Sequence, residues 1–91
     1  MRMKKTGVCW VYVLKCGDGS YYTGWTNDLV KRLRSHQAGK GAKYTRSRLP
    51  VKLIKKWRAE ERGEAMRKEA LFKSLSRKEK SSVLGIKGFR G

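Results

Sequence analysis

Residues Val8 to Lys15, VCWVYVLK, are dense in β-branched and aromatic side chains, and the Gly17-Asp18-Gly19-Ser20 that follows is a strong reversal signal. Ser20 to Trp25, SYYTGW, returns as a second strand. The pair reads as a β-hairpin in which side chains alternate between faces, Trp10, Tyr12 and Leu14 on one and Val11 and Val13 on the other.

Beyond the hairpin the chain alternates helix and strand signals. Thr26, Asn27 and Asp28 are candidate N-caps for a helix with Leu29, Val30 and Leu33 on one stripe, stopping near Gly39. Gly39 to Arg48, GKGAKYTRSR, is polar, basic and glycine-bearing and reads as a loop or a short helical turn. Val51 to Arg58 after Pro50 predicts a third strand, and Glu61 to Leu75, rich in good helix formers, a second long helix. Ser76 and Glu79 have the spacing of a capping box, so a short third helix runs from there to about Gly85. The closing IKGFRG is expected to fray. The sequence order is therefore β-β-α-β-α-α, an α+β fold in one domain spanning residues 1–91 with a core at about 8–84.

Charge narrows the function. The 24 Lys and Arg against seven Asp and Glu leave a formal +17, more than solubility asks for, and imply a polyanionic partner with nucleic acid first. Lys31 to Arg58 carries eleven basic residues and no acid, whereas five of the seven acids follow Arg58, which marks one side as the phosphate-facing one. No stretch approaches the roughly 20 apolar residues of a membrane span, and the N-terminus lacks a signal-peptide core. A cytoplasmic location without membrane contact is the expectation. Cys9 and Cys16 bracket a strand too extended for a mutual disulfide, so both are expected as thiols.

Chemistry-bearing residues stand out in two places. On the first helix Arg32 and His36 fall on the same flank of the apolar stripe. If that flank meets the hairpin, a guanidinium and an imidazole converge with the phenols of Tyr12 and Tyr22, a set suited to phosphodiester chemistry. Taken singly, each has an ordinary reading: strand tyrosines pack, a lone histidine hydrogen-bonds, and one arginine among many contacts phosphate. On the second long helix Glu69 falls in the arc of Ala65, Met66 and Phe72. A carboxylate there needs a partner, either a divalent cation or Lys73 one turn on.

The ordered set Trp10-Val11-Tyr12, Tyr22-Thr23-Gly24, Asn27 to Leu33 with His36, and Glu69 resembles the GIY-YIG nuclease superfamily. The run YVLKCGDGSYYTGWTNDLVKRLRSH with GKGAKYTR is similar to its small stand-alone bacterial members, the UPF0213-like proteins, over nearly the whole chain. That resemblance implies a three-stranded antiparallel sheet flanked by helices. It also implies hydrolysis of nucleic-acid phosphodiesters with one divalent ion, Mg²⁺ or Mn²⁺.

Carried over residue by residue, the resemblance makes Tyr12 and Tyr22 the motif tyrosines, Gly24 a framework glycine allowing close backbone approach, and Arg32 the arginine neutralising the scissile phosphate. Glu69 becomes the metal ligand and His36 a histidine near the attacking water. Lys31, Arg34, Lys40, Lys43, Tyr44, Arg46 and Arg48 would hold the flanking backbone of a nucleic acid, DNA before RNA. Trp10 and Thr23 replace framework residues of the motif, Trp25 stands where some relatives have lysine, and Asn27 is the chain's sole asparagine, so a late asparagine of some relatives is missing. These departures bear on catalytic strength and not on the fold. Three readings follow: a metal-dependent endonuclease, selective for substrate structure; a weakly cleaving or inactive nucleic-acid-binding module; and a subunit completed by a protein partner.

Overall fold

The computed structural model describes residues 7–87, so expectations for the chain termini beyond them lie outside the described residues. Strands β1 (Cys9–Lys15) and β2 (Tyr21–Thr26) form the expected hairpin. They are followed by α1 (Leu29–Gln37), the four-residue α2 (Lys43–Arg46), β3 (Lys52–Ala59), α3 (Arg62–Ser74) and α4 (Arg77–Leu84). The sheet is antiparallel with order β2-β1-β3, and a register irregularity falls between Val13 and Leu14 where β1 meets β3.

Because β1 is central, both of its faces must be covered. Val11 and Val13 point to the side of α3, where they join Cys9, Ala59, Ala65, Tyr21 and Phe72. Tyr12 and Leu14 point to the other, where they join Cys16 and Val51 under Leu29, Leu33 and Tyr44 from α1 and α2. Burying a Val or Leu this fully contributes roughly 1.5–3 kcal/mol each, so β1 anchors two helical layers at once. Both cysteines are buried thiols.

Local signals set the helix ends. The Asp28 carboxylate accepts from the Lys31 amide at 3.1 Å, fixing the start of α1. Glu61 caps α3 through the Gly63 and Glu64 amides, and the capping box of α4 is present, with Ser76 Oγ accepting from Glu79 N at 3.1 Å and Glu79 accepting from Ser76 N at 2.8 Å. Gly85 closes α4 with a φ of 69°, a backbone state that favours glycine.

Three expectations change. Val30 is 63% exposed, so the inward stripe of α1 is Leu29, Leu33 and His36, a shift of one residue that a short helix conceals. Met66 likewise faces outward while Ala65 and Phe72 are buried. The closing segment does not begin to fray at Ile86, whose side chain packs on the Val13, Tyr21 and Phe72 cluster. No helix among the described residues is long and apolar enough to cross a membrane.

Leu14→Ala should lower unfolding free energy by about 2–5 kcal/mol, because it empties a site sealed on both sides. Val30→Ala should leave it within about 0.5 kcal/mol. Urea unfolding of the two variants checks the pair.

Candidate active site

A glycine opposite a tyrosine creates the site. Tyr12 pairs with Gly24 across the hairpin, and a Cβ on Gly24 would lie 2.8 Å from the Tyr12 hydroxyl and 3.2 Å from Tyr22 Cε2. The phenol therefore lies flat over bare backbone. From the other side α1 delivers His36, whose ring centroid is 5.7 Å from that of Tyr12 and 5.3 Å from that of Tyr22. Tyr44 of α2 stacks on Tyr22 at 6.1 Å and 24°.

The imidazole is fully buried, at 0% exposure, and both of its nitrogens are engaged. Nε2 is 2.9 Å from the Tyr12 hydroxyl, and Nδ1 is 2.8 Å from Thr45 Oγ1. Gly41 closes the pocket: a Cβ there would overlap the ring, with Cγ only 2.7 Å away. Burial, followed by the charge of Arg32, holds His36 below the ordinary histidine range, so it is neutral at pH 7. Burial raises the Tyr12 phenol, Tyr22 adds to this, Arg32 opposes it, and Glu69 raises it further. The fields of Arg32 and Glu69 thus both reach this phenol.

Arg32 is exposed on α1, and among the described residues its guanidinium enters no ion pair. It lines a cleft of about 610 Å³ together with Trp25, Asn27, Glu61 and Arg62. Trp25, which cannot replace a lysine chemically, packs toward Val11 and Ala65, and the Arg62 guanidinium lies 5.8 Å from its ring centroid. A second cation, Arg62, therefore stands in the cleft that Arg32 opens into.

Glu69 projects from α3 with a side chain 20% exposed, and its carboxylate meets Lys73 Nζ at 2.9 Å. Of the two partners left open by the sequence, the lysine is in place. Among the described residues no three His, Cys, Asp or Glu side chains form a ligand cluster. A single half-buried carboxylate still fits Mg²⁺, which uses one or two carboxylates and fills its other positions with water and phosphate oxygens.

The basic residues divide. Lys31, Arg34, Lys40, Lys43 and Arg46 are exposed, as a backbone-holding surface requires. Tyr44 and Arg48 are half-buried and also bond within the protein. Arg48 bonds Asp18 at 3.0 Å and the Tyr44 carbonyl at 2.9 Å, and its guanidinium lies 3.9 Å above the Tyr44 ring. His36 is fully buried, and its Nε2 faces the Tyr12 hydroxyl. Thr45, Gly41 and Arg62 were not singled out by the sequence. Only the paired glycines of Gly39-Lys40-Gly41 hinted at close backbone approach.

Residues 8–82 match the family described as GIY-YIG catalytic domain. The chain is 55% identical over 75 residues to the UPF0213 protein SAG0778 of Streptococcus agalactiae, covering 82% of this chain and 85% of that one. It is similar to the solution NMR structure of the UPF0213 protein BH0048 from Bacillus halodurans, with a TM-score of 0.58 and 47% identity over 89% of this chain and 86% of that one. The solution structure of EF2693 from E. faecalis gives a TM-score of 0.57 at 45% identity, over 93% and 88% of the two chains.

The burial of His36 has a consequence for stability. Its folded pKa lies below the unfolded value of about 6.5, so the unfolded chain binds the extra proton first as pH falls. The stability contributed by the neutral ring is present above about pH 6.5 and is lost as pH drops through the folded pKa. With one histidine in the chain, unfolding free energy should decline between pH 6.5 and 5, and His36→Gln should flatten that decline. Equal slopes in the two proteins would contradict the assignment.

Proposed function

The chain belongs to the GIY-YIG family, and from that premise we propose that it is a metal-dependent endonuclease hydrolysing nucleic-acid phosphodiester bonds, DNA before RNA. The observation that carries this reading is the 2.9 Å contact between the Tyr12 hydroxyl and His36 Nε2, set beside an arginine with no ion pair among the described residues. In this scheme Tyr12 takes a proton from the attacking water as it passes its own to His36. The water oxygen bonds to phosphorus, the bond to the leaving sugar oxygen breaks, and that oxygen acquires a proton from solvent. Arg32 neutralises the charge gathering on the phosphate.

Glu69 would hold the divalent ion, with Lys73 displaced, and the ion would supply charge stabilisation at the phosphate while cancelling the carboxylate's upward pull on the Tyr12 pKa. The exposed cations Lys31, Arg34, Lys40, Lys43 and Arg46 would hold the backbone on either side of the cut. A protein with so little additional surface selects the shape of its substrate more readily than a long sequence.

One observation favours a second reading. Tyr12 keeps only 2% of its surface exposed, and its phenol is held strongly protonated in the free protein, which suits a binding module that cleaves weakly on the same scaffold. Strand scission separates the two.

Labelled single-stranded, duplex, flapped and branched DNA and RNA should be cut with Mg²⁺ or Mn²⁺ and spared with EDTA. Arg32→Ala and Glu69→Ala should each lower the rate by on the order of 10²-fold or more. Lys43→Ala should weaken binding to all substrates alike and reduce the salt dependence of log K by about one unit. Binding with no scission of any substrate would leave the second reading.

A further inference from the structure

The scheme above needs the Tyr12 proton to move toward His36, and a neutral imidazole allows this in only one of its two tautomers. We propose that Thr45 is the positioning residue that selects this tautomer, holding the proton on Nδ1 so that Nε2 is the acceptor facing Tyr12. The inference rests on the reading of Tyr12 as the base, and its structural half can be tested without it.

Three short contacts run in a line through the core: Tyr12 oxygen to Nε2 at 2.9 Å, Nδ1 to Thr45 Oγ1 at 2.8 Å, and Thr45 Oγ1 to the Ala42 carbonyl at 3.0 Å. Two hydroxyls and one neutral imidazole contribute one proton each, which is one for each contact. The carbonyl at the end can only accept, so the Thr45 hydroxyl donates to it. Thr45 Oγ1 must then accept from Nδ1–H, Nε2 is left bare, and the Tyr12 hydroxyl donates to it. The reverse polarity has Nε2–H donating to Tyr12 and Thr45 donating to Nδ1. That leaves two oxygens facing each other at 3.0 Å with no proton between them, at a threonine of 0% exposure where no solvent relieves the contact.

The local fold serves this geometry. Thr45 lies in α2, a helix of four residues whose backbone bonds place Ala42 O beside Thr45. Gly41, without a side chain, lets the imidazole sit flush against the turn that carries both. Neither Thr45 nor Gly41 lines the cleft that Arg32 opens into, so Thr45 acts through His36.

The test uses the single histidine of the chain. Long-range ¹H–¹⁵N spectra of untagged, ¹⁵N-histidine-labelled protein at pH 7.5 report which ring nitrogen carries the proton. The wild type and Thr45→Ser should both show Nδ1–H. Thr45→Val, of similar shape but unable to accept, should show Nε2–H or a mixture, and its kcat should fall on the order of 10²-fold with little change in KM. The Ser variant should restore kcat. Wild type with Nε2–H, or Thr45→Val with an unchanged tautomer, overturns the inference, and the wild-type spectrum decides even if the Val variant fails to fold. The expected tautomers with no cleavage by any protein would uphold Thr45's role and reject the nuclease reading instead.

Discussion

A phenol buried in the middle of a sheet has to find an acceptor or donor inside the protein, and in this molecule that requirement organises everything around Tyr12. Leaving such a hydroxyl unpaired would cost about 1–3 kcal/mol. His36 satisfies it, but the imidazole then brings a second nitrogen into the core, which Thr45 satisfies, and Thr45 in turn hands its proton to a backbone carbonyl. The chain of partners ends only where a group that merely accepts is reached. Two glycines make it sterically possible, Gly24 beneath the phenol and Gly41 against the imidazole. A polar network this completely satisfied fixes orientation as well as composition.

Around that rigid centre the charged groups are disposed by exposure. Most acids are engaged by nearby cations, as in Asp18 with Arg48, Glu64 with Lys68 and Glu69 with Lys73. Exposed pairs of this kind contribute little stability. Their effect here is one of distribution, because they neutralise charge on α3 while Lys31, Arg34, Lys40, Lys43 and Arg46 stay exposed on the other layer.

Much of this was legible in the sequence. The hairpin, the β-β-α-β-α-α order of elements and the α4 capping box follow from local composition, and the meeting of Tyr12, Tyr22, Gly24 and His36 from ordered motifs. Errors cluster where a side chain's direction depends on a neighbour rather than on its own element. Val30 looks apolar enough to be buried, but one residue of rotation on a nine-residue helix turns it to solvent and turns His36 inward. For Tyr44 and Arg48, only packing shows that the tyrosine stacks on Tyr22 and the guanidinium on the tyrosine.

The sequence by itself determined the elements, their order and the family motifs, since these depend on short-range patterning and on motifs a few residues long. Tertiary structure alone decided that β1 is the central strand, that His36 is buried against the Tyr12 hydroxyl, and that a threonine nine residues further along meets its other ring nitrogen. The physical reason is that hydrogen bonding in a core is a matter of which groups arrive together once solvent is excluded. Nothing in the spelling of GKGAKYTR distinguishes a hydroxyl that will face water from one that will hold an imidazole.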